Sequence, residues 1–451
     1  MFEPGLIVAK FGGTSVADHE AMCRSADIIL CCPQVNVVVL SASAGVTNSL
    51  IELAEGQLVE RRNELVQNIT EIQYEIINQL TNSTIIRDEI ERIIDNISTL
   101  SEAAALATSP ALTDEIISHG ELMSTLLFTE ILRQRGATAR WFDIRKIMYT
   151  NDRFGKAEPD TARLAELSHQ LLQPLLNDGI IVTQGFIGRE GQGRTTTLGR
   201  GGSDYTAALL GEVLHAQRID IWTDVPGIYS TDPRIVPSAK RIDEIAFEEA
   251  SEMATFGAKI LHPATLLPAI RNNIPVFVGS SKTPNEGGTL VNNKTQHRPL
   301  YRALALRRRQ TLLTLHSLNM LQARGFLAEV FAILARHQVS VDLITTSEVS
   351  VALTIDTTGS SSSATSLLSQ ALLTELAALC HVEIEEDLAL VALIGNKLSQ
   401  ANGVGKEVFG VLSPYNIRMI CYGASSYNLC FLLPGKDAEN AIRDLHQHLF
   451  E

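Results

Sequence analysis

The sequence predicts an α/β protein, built as a mostly parallel sheet sandwiched by helices and followed by two copies of a smaller α/β module. Three observations predict it. From Ile7 to about Val291, apolar strand-like runs alternate with long amphipathic helical stretches. After about Pro299 that texture changes. Beyond it one segment recurs, since EVFAILARHQVSVDLITTSEVSVAL (329–353) aligns without gaps to EVFGVLSPYNIRMICYGASSYNLCF (407–431), 78 residues later.

The elements follow in order. LIVAKF (6–11) is a short apolar run that ends in Lys10-Phe11 and leads into two glycines. VNVVVLSAS (35–43), GIIVTQGFI (179–187), RIDIWTD (218–224) and IPVFVG (274–279) read as strands buried on both faces. Helical patterns cover 61–80, 85–106, 113–135, 160–176 and 204–215. Strands of that kind separated by helices form a largely parallel sheet with helices on both sides. In such folds ligands bind beyond the carboxyl ends of the strands, so the residues just after each run matter most.

Each copy of the repeat offers a strand, a helix, two adjacent strands and a further helix. The first copy has a last strand in HVEIEE (381–386), whereas the second stops at LHQHLFE, just after its final helix. YRALAL (301–306) can supply the missing strand, which would place the second module inside the first. The expected division is 1–298, 299–386 and 387–451. TTGSSSSATS (357–366) reads as a polar loop.

At 451 residues the chain exceeds one simple core and predicts two or three domains. Hydrophobic residues make up 45% and charged residues 20%, the balance of a water-soluble protein. No stretch has the length of a membrane span and no basic region opens a secretory signal, so a cytoplasmic location is expected. The net charge of −14 argues against nucleic acid or anionic membrane as a general partner. It leaves anionic small ligands open, because local groups hold those. The six cysteines show no C-x-x-C spacing and read as free thiols.

Several stretches carry candidate chemistry. Lys10-Phe11-Gly12-Gly13-Thr14-Ser15 is not a Walker loop, because there the lysine follows the glycines. Its glycines can admit backbone N–H groups to phosphate, and Lys10 can reach a transferred group; a tight turn after a buried strand is the plainer reading. In RTTTLGRGGSDYTAALL (194–210), Ser203 is a good helix cap and Arg200 beside two glycines makes an anion site. Asp204 sits in the first turn of that helix. WTDVPGIYSTDPR (222–234) ends a strand at Thr223-Asp224 and brings Tyr229 and Arg234, suited to a base, ribose or phosphate, or to ordinary loop contacts. Lys259 in FGAKILHP is a further cation, and taken alone reads as a surface lysine. Ser41 and Ser43 close the VVVL strand, with Thr47 beyond. His119-Gly120-Glu121 interrupts a helical apolar stripe, and Glu121 is either a partner for a substrate ammonium or a solvated helix residue. Two glycine loops, several cations and no evident nucleophile suggest phosphoryl transfer by positioning and charge neutralisation, with Mg²⁺ bridging phosphate oxygens. No carboxylate pair can be placed across a sugar, so a glycosidase-like reading is weaker.

Along its whole length the chain resembles the bacterial aspartokinases, most closely the monofunctional, lysine-sensitive type. The anchors are KFGGTSV (10–16), SASAGVTN (41–48), SHGELMS (118–124), GRTTTLGRGGSDYTA (193–207), WTDVPGIYSTDPR and FGAKILHP (256–263). The resemblance implies an amino-acid kinase fold followed by a pair of ACT modules of ferredoxin-like type. It implies ATP-dependent phosphorylation of the side-chain carboxylate of L-aspartate, with Mg²⁺ carried on the nucleotide. Lys10 would stabilise the moving phosphoryl group with the backbone at Gly12 and Gly13. Thr47, Glu121, Arg200 and Ser41 would hold aspartate, Glu121 facing its ammonium and Arg200 its α-carboxylate. Asp204 would orient polar groups at the centre. Thr223, Asp224, Tyr229, Arg234, Lys259 and Ile260 would line the nucleotide site. No general base is needed, because the attacking carboxylate is ionised at neutral pH.

By the same resemblance, an L-lysine effector site would draw on Met320, Ala323, Phe326, Leu327, Ser340, Val341, Asp342, Ser347 and Glu348. In the second copy Asp342 and Glu348 align with Ile420 and Ser426, so only the first copy keeps acids for a cationic effector. The implied assembly is a homodimer through the ACT modules, with a lysine-promoted tetramer beyond it. Two rivals stand beside this reading. One is a kinase of the same fold for another small acid such as glutamate, one methylene longer. The other is a non-catalytic amino-acid sensor, or modules that serve only as a subunit interface.

Overall fold

The structure is a computed structural model that describes residues 5–257, 261, 263–295, 297–317, 325–356 and 368–451. It divides into two compact units. The first comprises residues 1–228, 242–247 and 260–294; the second takes in 229–241, 248–259 and 295–451.

The strands assigned to the first unit are β1 (Ile7–Phe11), β2 (Val35–Leu40), β3 (Ala139–Phe142), β4 (Ile180–Gln184), β5 (Ile187–Arg189), β6 (Thr195–Thr197), β7 (Arg218–Thr223), β8 (Glu244–Ala246), β9 (Val276–Ser280) and β10 (Gly288–Asn292). Eight of them form one sheet in the order β3-β4-β2-β1-β7-β9-β10-β8, and β5 and β6 form a separate hairpin. The pairs are parallel except for β9 with β10. The expected mostly parallel sheet is therefore present, with β1 at its centre and buried along its whole length. The helices are α1 (His19–Leu30), α2 (Val46–Ala54), α3 (Val59–Ile77), α4 (Thr84–Leu106), α5 (Pro110–Gln134), α6 (Thr161–Leu167) and α7 (Gly202–Val213), with α8 (Phe247–Thr255) and α9 (Pro263–Asn272) further along the chain.

Local sequence explains the boundaries. Helix α5 begins three residues before the expected 113 because Ser109 caps it by accepting from the Leu112 N–H, and Pro110 occupies the first turn. The pattern at 160–176 is helical as expected but α-helical only to Leu167; it widens to a π turn over Ser168–Leu172 and tightens to a 3₁₀ turn over Gln173–Asp178. Pro174 accounts for this, since it lacks the N–H that an α-helix interior requires. Residues 188–194, GREGQGR, run from β5 through the turn of the β5–β6 hairpin, where Glu190 accepts from the backbone N–H groups of Gln192 and Arg194.

The second unit contains a six-stranded sheet in the order β12-β13-β11-β14-β16-β15. Its members in chain order are β11 (Tyr301–His316), α10 (Phe326–Arg336), β12 (Ile344–Thr346), β13 (Ser350–Asp356), α11 (Gln370–Ala377), β14 (His381–Gly395), α12 (Val404–Val411), β15 (Met419–Tyr422), β16 (Asn428–Pro434) and α13 (Ala438–Phe450). β11 and β14 are long strands paired with each other. The distal half of β11, Gln310–His316, also pairs with β13, while the distal half of β14, Leu388–Ile394, also pairs with β16. The register slips between Arg307 and Leu312, where Arg309 and Asp387 both adopt positive φ. Two apolar cores result, one under α10 and α11 and one under α12 and α13. The polar segment 357–366 lies outside the described residues.

Candidate functional site

The first unit gathers polar groups at the carboxyl ends of β1, β2 and β7. Lys10, next to last in β1, is held between Val39 of β2 and Ile221 of β7 and is only 9% exposed. Its Nζ lies 2.5 Å from Oδ1 of Asp204, in the first turn of α7. A buried strand thus presents one cation at the mouth of the sheet, and a helix N-terminus presents one carboxylate to it.

The glycines after β1 have a steric reason. A Cβ on Gly13 would sit 2.8 Å from the Ala42 carbonyl oxygen, so a side chain there would push apart the loops after β1 and β2. Those loops are tied by hydrogen bonds from the Ser41 N–H to the Phe11 oxygen and from the Ala44 N–H to the Gly13 oxygen. The Gly12 N–H donates to the Trp222 oxygen at the end of β7. Ser15 and Ser281, which follow β1 and β9, share a hydrogen bond of 2.7 Å, and the Ser281 N–H donates to the Thr223 oxygen.

Helix α5 closes another side. Gly120 lets it approach the loop after β2, since a Cβ there would meet the Ala42 Cβ at 2.7 Å. One turn face then aims at that loop. Glu121 Oε1 accepts from the Ala42 N–H at 3.2 Å, and Ser124 Oγ donates to the Ser41 oxygen at 2.8 Å. Glu121 is 3% exposed, and its Oε2 has no hydrogen-bond partner among the described residues. Burial pushes its carboxyl up to about 8. On the opposite side, His119 Nδ1 donates to the Glu115 oxygen at 2.7 Å, and Nε2 accepts from Asn96 Nδ2 at 2.9 Å. Burial pushes the His119 pKa down, in keeping with that neutral tautomer.

The remaining candidates fall as follows. Thr47 is half-buried in the first turn of α2. Arg200 is exposed between Gly199 and Gly201, both at positive φ, one turn before Asp204. Thr223 Oγ1 donates to Asp224 Oδ1 at 3.2 Å. Lys10, Gly12, Gly13, Ser41, Glu121, Asp204 and Thr223 are thus linked through direct contacts or through a neighbouring residue. Tyr229 and Arg234 belong to the second unit, where Tyr229 bridges Arg241 and Arg234 chelates Asp232. Lys259, Ile260, Met320 and Ala323 lie outside the described residues.

Within the second unit, Phe326 and Leu327 open α10 after Gly325, itself at positive φ. Ser340, Val341 and Asp342 stand between α10 and β12; Ser347 and Glu348 form the turn between β12 and β13. Asp342 Oδ2 pairs with Arg307 Nη1 at 2.6 Å, and Ser347 Oγ contacts Ser350 Oγ at 2.7 Å. Glu348 and Ser340 are exposed, while Val341 packs on the core under α10.

Sequence reading did not single out Ser15, Ser124 or Ser281. The rule that residues just past each strand matter most would have found Ser281, two residues after IPVFVG. Ser124 is visible only with the helical phase, three residues beyond Glu121 on the same face.

The amino acid kinase family matches residues 5–280, and the ACT domain family matches residues 391–449. Lysine-sensitive aspartokinase 3 of Escherichia coli (strain K12) is 71% identical over 446 residues, which cover 99% of each chain. Aspartokinase 1, chloroplastic, of Arabidopsis thaliana is 34% identical, covering 98% of this chain and 80% of its own. The solved structure of E. coli aspartokinase III with aspartate and ADP (R-state) superposes with a TM-score of 0.93 at 71% identity, over 99% of this chain and 100% of that one. The same enzyme with lysine and aspartate (T-state) gives a TM-score of 0.84 over the same shares.

Proposed function

The chain belongs to the amino acid kinase family, among its aspartokinases, and we propose on that footing that it transfers the γ-phosphoryl group of ATP to the side-chain carboxylate of L-aspartate, under inhibition by L-lysine. The product is 4-phospho-L-aspartate. One observation carries the reading: 71% identity across 99% of both chains with an enzyme whose structures hold aspartate with ADP, and lysine with aspartate. The sensor reading loses its ground, since a scaffold needs neither a buried lysine nor the carboxylate 2.5 Å from it.

The roles proposed for the site residues are those the family resemblance implies, and the contacts around Lys10 and Glu121 support them. Lys10 neutralises charge on the moving phosphoryl group, and Asp204 fixes where its ammonium points. Glu121, with one free buried oxygen, accepts the substrate ammonium. Arg200 grips the α-carboxylate through two parallel hydrogen bonds, while Ser41 and Thr47 complete the pocket. Gly12, Gly13, Thr223 and Asp224, with Tyr229, Arg234, Lys259 and Ile260, serve the nucleotide. Mg²⁺ arrives on the nucleotide phosphates and lowers the negative charge that opposes attack.

We read residues 1–298 as the catalytic part, 299–386 as the first ACT module and 387–451 as the second, with one of the two modules nested in the other. Strand pairing supports the first lying within the second, the reverse of the expected nesting: Tyr301–Arg307 of β11 pairs with Leu390–Gly395 of β14, and that half of β14 pairs with β16 of the second copy. Lysine is taken by the first module through Asp342 and Glu348. Exposed Leu327, Phe331, Ile344, Ile420 and Tyr422 on the modules support a homodimer through them, with a tetramer favoured by lysine. Six free cysteines and the absence, among the described residues, of any helix able to cross a membrane support a cytoplasmic enzyme. The test is MgATP-dependent acyl phosphate formation, trapped as hydroxamate, with L-aspartate and L-glutamate, each with and without L-lysine. Aspartate-selective turnover suppressed by lysine is expected. Turnover of glutamate in preference to aspartate would refute the substrate, and turnover indifferent to lysine would refute the effector.

A further inference from the structure

One buried carboxylate in the first unit has no role in the scheme above. Asp114, in the second turn of α5, is 1% exposed, and no cation pairs with it among the described residues. Three donors hold it instead. Oδ2 accepts from the Gly155 N–H at 2.9 Å and the Thr197 N–H at 2.8 Å, and Oδ1 accepts from Thr197 Oγ1 at 2.9 Å. A carboxylate withdrawn from water without a counter-charge is costly, and burial does push the Asp114 carboxyl up. A core position needing only bulk would be filled more cheaply by an apolar residue.

What Asp114 joins explains its place. Its helix carries Glu121 seven residues later, two turns on and about 10 Å along the axis. Thr197 is the last residue of β6, three before Arg200. Gly155 belongs to the loop before α6, which returns to β6 through the Ala157 N–H donating to the Thr197 oxygen at 2.8 Å. That loop also backs the glycine turn, since a Cβ on Gly199 would lie 3.1 Å from the Gly155 oxygen. Arg200 itself is exposed and stands between two glycines at positive φ, so nothing in its own turn stiffens it.

We propose that Asp114 is a positioning residue for the acceptor amino acid, clamping α5, the 151–157 loop and β6 together so that Arg200 is held in register with Glu121. The proposal rests on the assignment of Arg200 and Glu121 to the two ends of aspartate. It gives the RTTT part of the motif a purpose, because Thr197 supplies two of the three donors.

The experiment compares KM for L-aspartate and for MgATP in Asp114→Asn, Thr197→Val, Arg200→Ala and the Asp114→Asn/Arg200→Ala pair. Asp114→Asn keeps the shape but replaces one acceptor with a donor facing two N–H groups. It should raise the aspartate KM by about fivefold or more and leave the MgATP KM within about twofold. Thr197→Val, which removes one hydroxyl and no charge, should give a smaller rise of the same kind and decides the matter if Asp114→Asn does not fold. In the Arg200→Ala background, Asp114→Asn should add almost nothing, since both act through one arginine. An unchanged aspartate KM in both clamp variants, or a full multiplicative effect in the pair, would overturn the proposal while Arg200→Ala still weakens aspartate. An aspartate KM unmoved by Arg200→Ala would remove the assignment of Arg200 and the proposal with it.

Discussion

Glu121 shows most clearly what a single residue's surroundings can do. Its carboxyl is raised by burial from an ordinary 4.5 to about 8, so the unliganded protein keeps it neutral at neutral pH. A raised folded-state value means stability is fully present below 4.5 and is lost as pH climbs to about 8. Thermal unfolding of the unliganded protein should therefore show a stability loss across that window that Glu121→Gln lacks. A substrate ammonium beside the carboxyl favours ionisation, so binding of L-aspartate at neutral pH should release close to one proton. Calorimetry in buffers of different ionisation enthalpy reads that release directly. Gly13 makes a steric case: Gly13→Ala places a Cβ 2.8 Å from the Ala42 oxygen, and should cost about 1–3 kcal/mol of stability and most of the turnover. Lys10, Gly12, Gly13 and Asp204, which the structure brings together, stand out in the sequence because glycine and charge cluster there at strand and helix ends. Burial was not legible. Nothing in SHGELMS distinguishes a solvated glutamate from one whose second oxygen lacks any partner, because that depends on Gly120 letting a distant loop come close.

Among the elements, β1, β2, β4, β7 and β9 were legible because each is an apolar run between turn signals. The short β3, β6, β8 and β10 were not, and the run 179–187 divides at Gly185-Phe186 into β4 and β5 of different sheets. The helical stretch at 160–176 was legible too, but not its change from α to π and 3₁₀ geometry after Leu167, where Pro174 withholds an N–H. Helix α8 shows a second limit. From Glu248 onward it belongs to the second unit, although it precedes the repeat by many residues. Glu249 is fully buried there, accepting from Arg302 Nε at 2.7 Å and Asn396 Nδ2 at 2.6 Å. Glu252 accepts from Ser425 and Asn428 one turn later. Periodicity cannot say which distant strands a helix face will meet. Arg302→Met would remove the cation 2.7 Å from the buried Glu249 carboxylate and should destabilise the second unit by about 3–5 kcal/mol, read by denaturant unfolding. An effect below about 1 kcal/mol would mean that Asn396 and the other contacts of Glu249 suffice.

For the whole molecule, the repeat and its missing strand were legible because strand accounting needs only topology. The structure adds the device that serves both copies, two long strands whose halves pair with different neighbours across a register slip. The two copies are not equivalent. Asp342 is engaged by Arg307, whereas the aligned Ile420 is an exposed apolar group. Asp342→Ala should leave turnover without lysine within about twofold and raise the lysine needed for half-inhibition by tenfold or more. Ile420→Ala should leave the lysine response unchanged. As an aspartokinase the chain is a phosphotransferase, and the proposed transfer depends on Lys10. Lys10→Ala should abolish aspartate-dependent acyl phosphate formation while the folded protein still binds lysine. Full turnover by that variant would contradict that role for Lys10.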